Sequence, residues 1–351
     1  MSTSNFTSTG EYIYSLDSLL PCEVNYDSAQ FQRLCRGYCL GKNQNYRLVK
    51  KLGEGGMGQT WLADELVRGE SVQRVVCKLL SRELRGKERA IQEVRRVFDL
   101  TKDLNHRNIC PLIGRFADPI FGDFLVMKFA DCGTLEDWFK TQPNYQNGIS
   151  LKTILPILRP IAKALDYAHS AGIIHRDVKP QNLMFMRTGT EFIPVLIDFG
   201  IAARVHVENF SPEMTTVTRT DTMSRSSSGT PLYMAPEQMQ GEPQNGRTDQ
   251  YALAMVLYEM LNGSIPFRGH NIIKISHEKL TFSPENPNFS MQVNAALSRA
   301  LSCRPEERFD SCTEFICALE LPPLPSHRHQ VQKPQTLWQK IFSKFSGWKQ
   351  K

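Results

Sequence analysis

Residues 175–182, HRDVKPQN, set an aspartate, a lysine and a carboxamide at D-x-K-x-x-N spacing. On one tight loop those three side chains can orient a hydroxyl, neutralise developing charge and hold a metal. Phosphoryl transfer needs all three, because the protein's share of that chemistry is positioning and electrostatics. Asp198, in the DFG triplet that follows a β-like hairpin, adds a second hard oxygen ligand suited to Mg²⁺. Upstream, LGEGGMGQT brings Gly53, Gly55 and Gly58 to GxGxxG spacing, which lets backbone N–H groups approach phosphates closely. A dinucleotide-binding loop has the same letters but enters a helix after its last glycine. Here the chain returns as a strand, TWLADEL, so the reading is a hairpin folded over phosphates. Lys78 then ends the apolar run VVCK. A surface lysine would snorkel there. A phosphate clamp would instead need a carboxylate to fix it. Glu93 lies beside the apolar face of the next helix, between Ala90 and Val97, and Glu88 is the other candidate.

Such residues must be carried by a frame. YRLVKKLG, QTWLADEL and VQRVVCKLL are short β-rich runs that predict three consecutive antiparallel strands. Ala90, Ile91, Val94, Val97, Phe98, Thr101 and Leu104 recur at three- and four-residue spacing, one buried helix face. NICPLIGRF and DFLVMKF predict two more strands. From Thr134 onward the patterning is mostly helical. A strand-rich part followed by a larger helix-rich part predicts an α+β protein with two lobes. The expected divisions are an N-terminal extension over 1–45, one domain over 46–321 (small lobe 46–130, large lobe 131–321) and a tail over 322–351. The extension reads as irregular, with one short helix near DSAQFQRLC. LPPLPSH closes the packed region, since proline at that density cannot continue a helix.

Composition narrows the class. No apolar run reaches 18 residues, and the N-terminus lacks the features of a signal peptide. Nine cysteines, an odd number spread along the chain, read as reduced thiols of a cytoplasmic protein. Cys35 and Cys39 of CRGYC have no second closely spaced pair to complete a metal site. The net charge of +6 belongs to the tail, where six Lys and Arg follow Leu321 with no acidic residue. The main domain is therefore neutral, and nucleic acid is not an expected partner.

The ordered set GEGGMG, VVCK, a helix glutamate, HRDVKPQN, DFG, GTPLYMAPE, TDQYALAMVLYEML and RPEERF resembles the protein kinases, specifically the bacterial eukaryotic-like (Hanks-type) Ser/Thr kinases. The resemblance runs from about Tyr46 to Leu321 and implies a bilobal kinase fold, ATP with Mg²⁺ (or Mn²⁺) as cofactors and Ser/Thr-bearing proteins as substrates. By position it implies that the loop Gly53, Glu54, Gly55, Gly56, Met57 and Gly58 covers the phosphates. Lys78 would contact the α- and β-phosphates and pair with Glu93. Asp177 would accept the substrate hydroxyl proton, Lys179 would steady the γ-phosphate, and Asn182 and Asp198 would hold the metal. Thr230 would brace Asp177 and Lys179. Met127 would gate the adenine pocket, Lys128, Phe129 and Ala130 would form the hinge, and Leu52, Thr60, Val76 and Leu183 would sandwich the base. Glu237 and Arg308 would form a buried structural ion pair. Thr60 stands where valine is usual, and Val76 stands where alanine is usual, which should narrow the pocket's ceiling. The competing readings are a pseudokinase scaffold and a small-molecule phosphotransferase. The intact Lys78, Asp177, Asn182 and Asp198 argue against the first, and the GTPLYMAPE segment against the second.

Two segments fall outside that frame. Ten of the sixteen residues in TTVTRTDTMSRSSSGT, 215–230, are Ser or Thr. The resemblance makes this the activation segment, with Thr222, Ser224 and Ser226 as autophosphorylation sites and Arg176 as the phosphate's partner. In the tail, Leu337, Trp338, Ile341, Phe342, Phe345 and Trp348 fall within an arc of about 140° on a helical wheel, with Lys340 and Lys344 outside it. Residues 336–349 therefore read as an amphipathic helix. It could dock on the protein's own surface or a partner, or lie on an anionic membrane as a peripheral anchor.

Overall fold

The computed structural model describes residues 34–55, 58–85, 87–199, 230–269 and 271–320. Six antiparallel strands form the small lobe's sheet, in the order β1-β2-β3-β4-β6-β5. They are β1 (Cys39–Leu40), β2 (Tyr46–Gly55), β3 (Gly58–Val67), β4 (Glu70–Leu80), β5 (Leu112–Asp118) and β6 (Gly122–Lys128). Alternation decides what each face carries. Val75, Cys77 and Leu79 of β4 join Leu48, Trp61, Phe124 and Val126 in the sheet's own core. Val76 and Lys78 point the other way, with Lys78 paired across to Thr60 and Leu125 and Val76 to Leu62 and Met127. The lysine's aim is thus a consequence of strand parity.

Strand β1 lies before the expected boundary at residue 45. Leu40 is fully buried, and Asp118 accepts from the Gly41 amide at 2.9 Å. The segment from residue 34 is therefore part of the sheet and its core, because Leu40 and the partly buried Leu34 and Tyr38 cover an apolar face that the edge strand β2 would otherwise expose. The expected helix at DSAQFQRLC lies largely outside the described residues; Leu34 and Cys35 within it are not helical.

Helices α1 (Arg82–Arg85) and α2 (Glu88–Thr101) follow β4. Val94 of α2 packs with Leu84 and Leu125, and Phe98 closes the cluster. The large lobe is built on α3 (Leu135–Lys140), α4 (Leu151–Ser170), the hairpin β7 (Leu183–Thr188) and β8 (Glu191–Leu196), α5 (Thr230–Tyr233), α6 (Pro236–Gln240), α7 (Gly246–Asn262), α8 (Ile272–Leu280), α9 (Met291–Ala300) and α10 (Cys312–Ala318). Helix α3 starts in a capping box, Thr134 accepting from the Asp137 amide and Asp137 from the Thr134 amide. Helix α7 is buried on every side from Thr248 to Tyr258, the mark of a helix at a lobe's centre. Helix α4 runs through Pro156 and Pro160, both half-buried, while Ile154, Ile157, Leu158, Ile161 and Leu165 form its core face. Among the described residues no helix is long and apolar enough to cross a membrane. Described cysteines are free thiols.

Candidate active site

The catalytic candidates meet between the two lobes. Asp177 is held through one oxygen: Lys179 Nζ and Asn182 Nδ2 both donate to its Oδ2 at 2.8 Å. Asn182 Nδ2 also donates to the Asp177 carbonyl at 2.7 Å. Oδ1 of Asp177 accepts from no described residue, which leaves it open to an incoming hydroxyl. Both side-chain bonds of Asn182 use its amino group, so its carboxamide oxygen Oδ1 stays available as a hard ligand. Lys78 Nζ lies 2.9 Å from Asp198 Oδ2. Burial favours the neutral form of Asp198, but the Lys78 ammonium beside it holds the carboxyl below its ordinary value of 3.8.

Each of the two aspartate-bearing loops holds one strained residue, with φ of 67° at Arg176 beside Asp177 and 63° at Asp198. What fixes the Asp177 loop is Asp249 at the start of α7. Its Oδ2 accepts from the His175 amide and Oδ1 from the Arg176 amide, each at 2.7 Å, and His169 Nε2 sits 2.7 Å from Oδ2. Buried His175 reaches the Ile197 carbonyl through Nε2 at 2.9 Å and packs on Phe199, ring centroids 4.8 Å apart. The two aspartate-bearing loops are thus fastened to each other and to α7. Sequence reasoning gave Asp249 no role. Its signal was a run of polar residues, Thr248 to Gln250, opening a helix that is otherwise apolar.

At the phosphate end, β2 and β3 form the hairpin expected from the glycines, with Gly53 opposite Thr60 and Gly55 opposite Gly58. Gly58 has φ of 140°, and a Cβ there would stand 1.9 Å from the Leu79 carbonyl oxygen. Only glycine fits. Lys51 Nζ and Gln59 Nε2 donate to the two oxygens of Glu54 at 2.8 and 3.0 Å. Gly56 and Met57 lie outside the described residues. A small apolar cleft lies behind the loop, lined by Gly58, Thr60, Lys78, Val94 and Leu125.

Leu183, expected to sandwich the base, faces elsewhere. Leu183 is 1% exposed and packs in the large lobe's core with Phe185. The next residue, Met184, points to the opposite face and packs against a cluster formed by Ala130, Met186, Ile193 and Val195. Strand alternation from Asn182 therefore hands the pocket floor to Met184 rather than Leu183. Val76 and Met127 face each other across β4 and β6, both buried. Leu52 is exposed, and Thr60 and Phe129 are half-buried. The hinge backbone is fixed by Lys128 N–H donating to the Pro111 carbonyl at 3.0 Å, and Cys110 Sγ lies 3.2 Å from the Lys128 carbonyl.

Glu93 falls on α2, directly before buried Val94, but its side chain lies outside the described residues; the described carboxylate partner of Lys78 is Asp198. Glu88, the second candidate, is exposed and accepts from Gln92 at 3.2 Å. Thr230 begins α5 and its side chain lies outside the described residues, as do Thr222, Ser224, Ser226 and the tail. Glu237 and Arg308 form a bidentate pair at 2.8 and 2.9 Å, 2% and 1% exposed, with Thr248 Oγ1 donating to Glu237 at 2.8 Å.

One group among the described residues gathers three potential metal ligands, Asp166, His169 and Cys312. Its atoms are already engaged. Both Asp166 oxygens accept amides at the start of α10, from Cys312 and Thr313, and His169 is committed to Asp249. The group is a helix anchor.

Residues 46–318 match the protein kinase domain family. The chain belongs to that family. Among curated proteins, the kinase domain is similar to serine/threonine-protein kinase Pkn1 of Myxococcus xanthus, 31% identical over 79% of this chain and 38% of the relative. It is likewise similar to serine/threonine-protein kinase PknJ of Mycobacterium tuberculosis, 31% identical over 78% of this chain and 44% of the relative. The chain thus spans well under half the length of both. Among solved structures, the kinase domain of Mycobacterium tuberculosis PknI is 26% identical with a TM-score of 0.58, over 82% of this chain and 98% of that one.

Proposed function

We propose that the chain is an ATP-dependent protein kinase that phosphorylates Ser and Thr hydroxyls, its own activation segment included. The observation that carries this reading is the convergence of Asp177, Lys179, Asn182, Lys78 and Asp198. Bound Mg·ATP supplies the γ-phosphoryl group and neutralises charge on the phosphates. The residues fit that group. The Asn182 carboxamide oxygen and the Asp198 carboxylate are hard oxygen donors suited to Mg²⁺ or Mn²⁺. Gly58 lets the hairpin pack on the Leu79 backbone where a Cβ would collide, which supports a close glycine turn whose amides cover phosphates. Val76, Met127, Ala130 and Met184 offer an apolar slot for the base, with hinge backbone of 128–130 beside it.

In this reading Lys78 binds the α- and β-phosphates. Asp177 orients a substrate hydroxyl and takes its proton at Oδ1, the oxygen that Lys179 and Asn182 leave open. Lys179 stays close enough to offset charge on the γ-phosphate. Thr230 braces this pair from the substrate side. Phosphate on Thr222, Ser224 or Ser226 orders the activation segment through Arg176. Proteins bearing Ser or Thr are the substrates. The amphipathic tail 336–349 is a docking element for the chain's own surface, a partner or an anionic membrane.

Incubation with labelled ATP and Mg²⁺, followed by mass-spectrometric mapping, tests the reading. Phosphoserine and phosphothreonine on the chain itself and on a generic protein substrate are expected, with sites among Thr222, Ser224 and Ser226. Absence of label from both would contradict it.

A further inference from the structure

Lys279 of α8 is buried to 2% exposure without an acidic partner among the described residues. Its Nζ donates to the Leu232 carbonyl at 2.7 Å and stands 4.3 Å from the Phe267 ring centroid and 5.0 Å from that of Tyr251. Burial pushes its pKa well below the ordinary lysine value. Burying an ammonium without a counter-ion is costly, and an apolar side chain of the same length would fill the space without that cost. What the amino group adds, beside its two ring contacts, is one hydrogen bond, to one backbone oxygen.

That oxygen belongs to α5, four residues long, whose carbonyls have no partners within so short a helix. The same stretch is tied to the large lobe at other points. Tyr233 donates to Glu259 at 2.7 Å, and Gln238 bridges the Ala235 amide and the Arg176 carbonyl, each at 3.0 Å. Those tethers reach the lobe's centre and the catalytic loop. Lys279 is the tether from α8, and its neighbour Tyr251 also meets the Arg308 guanidinium at 4.9 Å, next to the Glu237 ion pair. The carbonyl of Leu232 lies two residues after Thr230, so its position sets the backbone on which a peptide beside the phosphoacceptor would rest.

We propose that Lys279 is a positioning residue for protein-substrate docking: it pins the 230–233 backbone to α8 and thereby holds the peptide-binding surface in register with Asp177. The inference rests on the kinase reading above. It is tested with Lys279→Met, which keeps chain length and removes the donor. Three quantities are compared with wild type: KM for a Ser/Thr peptide, KM for ATP, and amide exchange over 231–235. The expected result is a peptide KM raised about tenfold, the weight of a lost buried hydrogen bond, with faster exchange over 231–235 and an unchanged KM for ATP. Should that variant not fold, Lys279→Gln, which keeps an N–H donor of shorter reach, is measured the same way. Unchanged peptide KM and exchange in a folded variant would overturn the proposal. So would equal losses for peptide and ATP, which mark a purely structural role. Wild type that transfers no phosphate to peptide would overturn the kinase reading itself, and this inference with it.

Discussion

Asp198 carries two duties that conflict in the absence of nucleotide. It is a metal-ligand candidate, yet its described partner is Lys78 at 2.9 Å. Its pKa is depressed in the folded chain, so its ionised form stabilises the fold above its ordinary value of 3.8. That contribution is lost as pH falls through the depressed value. Lys78→Met should therefore move the acid-unfolding midpoint to higher pH, read by circular dichroism along a pH titration. A midpoint unmoved by the substitution would show that the pair does not set Asp198's ionisation. At this scale the sequence was informative wherever a motif ties residue type to spacing: Asp177, Lys179 and Asn182 are mutually bonded as their spacing on one loop suggests. It was silent where the partner comes from far along the chain. The bonds that Asp249 makes to His175 and Arg176 span more than seventy residues, and only folding brings those groups together.

Strand parity is the device that links elements to chemistry. One two-residue period sends Val75, Cys77 and Leu79 into the sheet's core and Lys78 into the cleft. The same period places Met184, and not Leu183, on the pocket side of β7. The strands and their antiparallel order could be read from β-rich runs between turns. The two-residue strand β1 could not, because it owes its existence to β2 and Asp118 rather than to any pattern of its own. Helix α8 was missed in the same way, its nine residues placing only Ile275 and Lys279 in the interior. The hairpin of β2 and β3 gives the sharpest prediction for an element. Gly58→Ala would drive a methyl into the Leu79 carbonyl, 1.9 Å away, at a φ of 140°. The variant should lose nucleotide affinity and at least about 1 kcal/mol of stability. Isothermal titration with an ATP analogue and urea unfolding check both.

The molecule as a whole depends on the large lobe as its fixed body. Helix α7 is surrounded, and the catalytic loop, the Thr230 segment and α10 are each fastened to it or to its neighbours. The Glu237–Arg308 pair closes that body at 2% and 1% exposure. Arg308→Ala would leave Glu237 charged and buried, and should cost about 3–5 kcal/mol in chemical unfolding. Because Glu237 belongs to α6, next to the substrate-side segment, that variant should also lose peptide transfer before it loses nucleotide binding. Two lobes were expected from the shift of strand-rich to helix-rich patterning, and residues 46–318 match the protein kinase domain family. In the proposed reaction Asp177 is the group that meets the substrate hydroxyl. The direct measurement is single-turnover phosphate transfer from Mg·ATP to a Ser/Thr peptide by wild type and by Asp177→Asn. The expected loss is about 10²–10⁴-fold in rate, with ATP affinity and thermal midpoint unchanged. Equal rates for the two proteins would contradict the account.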